Sequence, residues 1–209
     1  ISECLVGSEM CIRDRFHVSP NIREREFLTD NELNTVINHR FTKPNLSLAR
    51  DIFVFSCLTG ISFIDIKNLT TENIVEIGGN KWIVAKRQKT GVPYQIRLLD
   101  IPLMIIEKYR TLKGDNRLLP FGCNSAINRK LKQIMKECGI EKHISFHSGR
   151  HSFAVCALSN GMPIESVSRI LGHTNITTTQ IYAKITDAKL DRDIASFADK
   201  ISGKISYAQ

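Results

Sequence analysis

Six stretches of helical apolar periodicity follow one another along the second half of the chain, and they narrow the fold class more than any other feature. They run over residues 103–112, 125–138, 147–160, 164–171, 176–183 and 187–198. Within each, apolar residues recur at three- and four-residue steps, which lines one face of a helix. Gly139 and Gly161 stand directly after two of them, where helices commonly close through a left-handed residue.

The first half contributes helices and one small sheet. Thr29 and Glu32 have capping-box spacing, which predicts a helix to about residue 39. Asn45 begins a second helix that ends at Gly60, and a short third one spans 62–68. Residues 73–77 and 81–85 flank Gly78-Gly79-Asn80 as a β-hairpin, and the alternation over 94–99 adds a third strand. The expected fold is therefore mainly α with a small three-stranded antiparallel β-sheet. There is no internal repeat and no low-complexity tract.

A length of 209 residues with 42% hydrophobic content supports one well-buried domain. Twenty-nine Lys and Arg against 21 Asp and Glu leave a net charge of +8, which favours polyanionic partners as much as it serves solubility. Residues 1–15 resemble a translated sequencing-adapter scar and are set aside. They hold two basic and three acidic residues, so the basic surplus survives their removal. Residues 16–26 read as the remnant of an interdomain linker, 27–201 as the domain and 202–209 as a tail. Cys57, Cys123, Cys138 and Cys156 lack C-x-x-C spacing, the pattern of reduced thiols. The longest apolar stretch, 52–64, is interrupted by Ser56, Thr59 and Ser62 and falls short of the ~20 residues of a membrane helix. With no secretion signal either, the expected setting is the bacterial cytoplasm.

The chemistry concentrates near the end. His147 and Arg150 lie at i and i+3 on one helical face and can reach the same ligand. A phosphate suits them: a guanidinium forks onto two oxygens, and an imidazole titrates near neutrality. His151 stands four residues after His147. Without an H-E-x-x-H pattern or a third ligand this pair predicts no metal site, and His151 is assigned a supporting role. His173 follows Leu171-Gly172, whose glycine permits a turn that aims the imidazole inward, and Tyr182 falls in the next expected helix. A phenol of pKa ~10 is only about 0.1% ionised at neutral pH, so a nucleophilic tyrosine requires activation by neighbouring cations and bases.

Together, H-x-x-R-H at 147–151, Leu171-Gly172-His173 and the nine-residue step from His173 to Tyr182 resemble the signature of the tyrosine recombinase, or phage integrase, superfamily. The resemblance extends to Gln88-Lys89-Thr90-Gly91, similar to the family's β-turn lysine, and to Leu58-Thr59-Gly60, similar to its first-arginine motif. It implies the catalytic-domain fold of that superfamily, as in a mobile-element or phage integrase. Tyr182 would attack a DNA phosphate to give a 3′-phosphotyrosyl link and a free 5′-hydroxyl, which a second strand's hydroxyl then reverses. Arg150 would hold the nonbridging oxygens, Lys89 would protonate the leaving 5′-oxygen, and His147 and His173 would position the phosphate and move protons. Asp65 would brace the site. The implied partners are double-stranded DNA, further copies of the chain in a synaptic tetramer, and accessory DNA-bending proteins, with no membrane and no cofactor; bound to DNA, the protein would associate with the nucleoid.

One position departs from the pattern. Ser62 stands where the resemblance places an arginine, and loss of one preorganised donor costs ~3–4 kcal/mol in the transition state. Arg87, Lys86 and Arg97 are the nearby cations that can compensate. The alternatives are a catalytically silent DNA-binding relative and a topoisomerase-like nicking enzyme. Lys86, Arg87, Arg129, Lys130, Lys132 and Lys136 are candidate DNA contacts. Leu190, Ile194, Phe197 and Ile201 form an apolar stripe that serves either a neighbouring protomer or the chain's own core.

Overall fold

A helix apolar on nearly every side must be surrounded, and α2 (Pro44–Thr59) is such a helix. Ile52, Phe53, Val54, Phe55 and Cys57 are each almost wholly buried, and every such side chain contributes about 1.5–3 kcal/mol of burial. Pro44 opens the helix at a position where its missing N–H is not needed. Gly60 closes it with φ 70°, its N–H bonded to the Ser56 carbonyl at 2.8 Å. A β-carbon on Gly60 would lie 2.6 Å from Phe153 Cδ1, so the residue is held to glycine by packing as well as by conformation.

The computed structural model describes residues 26–110, 116–120, 122–182 and 187–202. Around α2 stand α1 (Asp30–Asn38), α3 (Phe63–Asn68), α4 (Asp100–Tyr109), α5 (Asn124–Glu137) and α6 (Phe146–Ser159). Helix α6 makes the most extensive contact with it. Small residues permit this approach: a β-carbon on Gly149 would meet Phe53 at 3.1 Å, and Ser148 and Ser152 are buried on the same helix. The capping box expected at Thr29 is present, with Glu32 reaching back to the Thr29 N–H at 2.7 Å. Helix α4 begins three residues before the periodicity suggests, because Pro102 is tolerated in a first turn. The expected end of that helix lies partly outside the described residues.

The sheet is antiparallel in the order β1 (Ile74–Ile77), β2 (Asn80–Lys86), β3 (Pro93–Arg97). Gly78 and Gly79, at φ 58° and 74°, make the two-residue turn between β1 and β2. Ile83 pairs with Ile96 and Ala85 with Tyr94, which fixes the register. Tyr94 and Ile96 face the core while Pro93, Gln95 and Arg97 face solvent.

A second, smaller core lies beyond α6. Ala154, Ala157 and Leu158 pack on Val167 and Leu171 of α7 (Ile164–Leu171), with Phe153, Ile164 and Tyr182 against them. The helix expected over 176–183 shrinks to the single turn α8 (Thr177–Gln180), and Tyr182 sits in the turn that follows it. Residues 174–180 run Thr-Asn-Ile-Thr-Thr-Thr-Gln, rich in residues that favour turns and caps over helix interiors. Helix α9 (Asp187–Ser202) completes the described chain. On it Ile194 is 57% exposed and Phe197 62% exposed, so these two do not join the core; Leu190 lies outside the residues whose side chains are described. Among the described residues no helix is long and apolar enough to cross a membrane.

Candidate active site

Arg150 projects from α6 into the seam between the two cores and is 4% exposed. Its Nη1 donates to the Gly60 carbonyl at 2.7 Å and its Nη2 to the Leu171 carbonyl. Both acceptors belong to helix C-terminal ends, of α2 and α7, where carbonyls lack intrahelical partners and carry the negative end of the helix dipole. The fold thus buries a guanidinium without giving it a carboxylate of its own. Burial first, and then the positive charge of Arg87, push the Arg150 pKa down to about 9, which leaves it charged at neutral pH.

Arg87, at the end of β2, also donates to the Leu171 carbonyl. Its Nε lies 3.3 Å from Asp65 Oδ2. Asp65, on the first turn of α3, accepts from Ser62 Oγ at 2.6 Å and from the Gln88 backbone N–H at 2.9 Å. This carboxylate ties the β2–β3 turn to α3. The other two candidate cations are elsewhere: Lys86 and Arg97 are exposed on the sheet. Lys89 is exposed one residue beyond Gln88, in a turn closed by Gly91 N–H to Arg87 carbonyl at 2.7 Å.

Three rings form a row across α6. The His147 and His151 ring centroids are 4.4 Å apart, and His151 lies 5.1 Å from the Tyr182 ring. His147 is exposed, His151 is 2% exposed and Tyr182 is half-buried. His151 therefore supports its neighbours from within the core. His173 follows the left-handed Gly172 that ends α7, and its Nδ1 lies 2.8 Å from Thr179 Oγ1. Burial, then Arg150, Arg87 and His147, depress the His173 pKa to about 4, so its imidazole is neutral at pH 7. A neutral ring anchored through Nδ1 keeps Nε2 for a ligand.

A cleft of about 370 Å3 lies among α2, α3, α5 and the start of α6, lined by Ser62, Phe63, Asn124, Asn128, His147 and Arg150 among others; His173 and Tyr182 are not among its lining residues. The expected DNA contacts Arg129 and Lys132 are exposed on α5 and Lys130 is partly buried there. Sequence reasoning missed Thr179, whose buried hydroxyl has no sequence signal beyond lying three residues before Tyr182. It also missed Tyr94, buried beside Asp65, Arg87 and Arg150, which reads in sequence as an ordinary strand aromatic. Among the described residues no His, Cys, Asp and Glu cluster is suited to a metal.

Comparison with known proteins shows the family and the fold of the chain. A stretch of 60 residues is 53% identical to the tyrosine recombinase XerD of Listeria monocytogenes, covering 29% of this chain and 20% of that protein. A tyrosine recombinase of Thermosipho africanus is 29% identical over 182 residues, covering 80% of this chain and 61% of that protein. The chain thus spans less than two thirds of these relatives. The crystal structure of the XerH site-specific recombinase in a post-cleavage complex with its difH substrate shares the fold, with a TM-score of 0.65 at 16% identity over 81% of this chain and 52% of that one. The model of the phage integrase family matches residues 26–189, which hold both cores and the cleft, and the chain belongs to that family of tyrosine recombinases.

Proposed function

We propose that the chain is the catalytic part of a site-specific DNA recombinase or integrase of a mobile element, cleaving and rejoining double-stranded DNA through a 3′-phosphotyrosyl intermediate. The observation that supports this reading is the neighbourhood of four side chains in a chain of this family: His147 and Arg150 line one cleft, the His147, His151 and Tyr182 rings stand in a row, and Arg150 bonds the Leu171 carbonyl two residues before His173. Tyr182 Oη attacks the phosphorus and its proton passes to a neighbouring base or water. The bond from phosphorus to the 5′-oxygen breaks, and Lys89 supplies the proton that oxygen takes up. Arg150 stabilises the charge that builds on the nonbridging oxygens. His147 reaches the phosphate from the cleft rim, and neutral His173 donates from Nε2. Attack by a second 5′-hydroxyl runs the sequence backward and exchanges strands.

Lys89 is exposed in the turn between β2 and β3, and this turn closes on the phosphate when DNA binds. Exposed Lys86, Arg129 and Lys132, with Lys130, contact the backbone. The reading extends to a synaptic tetramer on DNA, served by accessory DNA-bending proteins at the nucleoid. The test is covalent trapping on a library of duplexes with a randomised core, nicked so that the cleaved fragment escapes. The chain yields a protein–DNA adduct and Tyr182→Phe yields none. An absence of adduct from every duplex would instead identify a silent DNA-binding relative, and relaxation of one DNA without exchange between two would identify a nicking enzyme.

A further inference from the structure

Two guanidinium groups donate to a single carbonyl oxygen in this protein, that of Leu171, and among the described residues Asp65 is the carboxylate paired with them. Two ordinary hydrogen bonds to one acceptor hold the donor nitrogens within about 6 Å of each other. The repulsion between Arg87 and Arg150 is visible in the Arg150 pKa, which Arg87 lowers after burial has done so. Arg87, Arg150 and Asp65 together carry one positive charge, the complement of a single phosphodiester. The fold holds such a pair together against its mutual repulsion, and an anion placed between its members relieves that repulsion.

We propose that Arg87 is a second phosphate-binding arginine of this site, seated by Ser62, Asp65 and Gly172. Each part of the seat is specific. The Arg87 side chain is 13% exposed and that of Asp65 2% exposed, so the ion pair is shielded from solvent. Ser62, the uncharged residue at the cleft wall, spends its hydroxyl on Asp65 and so aligns the carboxylate with Arg87. The stem of Arg87 crosses Gly172: a β-carbon there would lie 2.7 Å from both Cγ and Cδ of Arg87. Gly172 thus serves two neighbours, turning the chain into His173 and clearing the path of Arg87. The β2–β3 turn brings in a cation from the sheet, where an arginine at position 62 would have brought one from α3. The stretch Ser62-x-x-Asp65, which without an arginine looks like a loss of charge, is the mount for a charge delivered from elsewhere in the chain.

This inference rests on the phosphoryl-transfer reading, and two measurements separate them. The first compares cleavage of a phosphodiester with that of a methylphosphonate, which has lost the negative nonbridging oxygen. Arg87→Ala slows phosphodiester cleavage by about 100-fold or more, in line with loss of one transition-state donor, and this deficit shrinks to within about 5-fold on the methylphosphonate. Ser62→Arg placed in the Arg87→Ala chain recovers at least 10-fold, whereas Ser62→Arg alone gives no gain because a third guanidinium is crowded against two. An arginine that only staples the turn would show the same deficit on both substrates and no recovery, and that result overturns the proposal. The second measurement needs no cleavage: Arg87→Ala lowers the slope of log binding against log salt for duplex DNA by about one, as Arg150→Ala does. An unchanged slope, with the fold confirmed by circular dichroism, also overturns it. If the unaltered chain forms no adduct yet the slope falls, the recombinase reading fails and the phosphate assignment of Arg87 stands.

Discussion

His173 shows how burial and neighbouring charge set the chemistry of one side chain. The imidazole is half-buried under two guanidinium groups and keeps a pKa of about 4, against 6.5 for the free side chain, chiefly through burial and then through Arg150 and Arg87. The native state therefore resists the proton that the unfolded chain accepts readily. By linkage, stability falls as pH drops from about 6.5 towards 4, since the unfolded state binds more protons across that window. His173→Gln removes this loss, so its melting temperature relative to the unaltered chain rises between pH 7 and pH 4.5. A constant difference across that range refutes a buried neutral His173. The types and spacing of His147, Arg150, His173 and Tyr182 were readable in the sequence because the catalytic apparatus is nearly local, spread over three consecutive elements. Thr179 and Tyr94 were not, because a threonine or a tyrosine acquires its role from what is folded against it.

At the scale of elements, periodicity located every helix that borders the cleft, and alternation located the three strands. Boundaries moved by at most four residues, as at Pro102 in α4 and at the end of α9. The larger miss was the segment before Tyr182, where a helical apolar pattern lost to threonine- and asparagine-rich turn chemistry. The join between α2 and α6 is the most exacting of the contacts. Gly60 there combines a left-handed φ with a β-carbon position 2.6 Å from Phe153 and 2.9 Å from Leu171, and its carbonyl receives Arg150 at 2.7 Å. Gly60→Ala costs about 2 kcal/mol or more through strain and overpacking, a fall of roughly 4–8 °C for a domain of this size. Cleavage falls with it, since Arg150 loses its seat. A variant with unchanged melting and unchanged cleavage would show that neither constraint operates.

Across the whole molecule, charge and exposed apolar surface point outward in different directions. Lys86, Lys89 and Arg97 are exposed on the sheet side, Arg129, Lys132 and Lys136 on α5, and Ile194 and Phe197 on α9. An exposed apolar pair on a terminal helix fits a neighbouring protomer of the assembly proposed for strand exchange. Phe197→Asp is expected to leave cleavage of a single duplex intact and to remove the higher-order protein–DNA bands in native gels. Retention of those bands removes α9 from the interface. The sequence by itself determined the class of fold and the family resemblance, because periodicity, capping and the closely spaced motifs at 147–151, 171–173 and 182 are local properties of a chain. Only the tertiary structure decided which cation serves the site. Arg87, Lys86 and Arg97 are equivalent as letters, but strand register turns Arg97 and Lys86 to solvent and folds Arg87 across Gly172 onto Asp65. That choice depends on contacts between residues more than 80 positions apart, such as Arg87 with Leu171, and no local pattern encodes them.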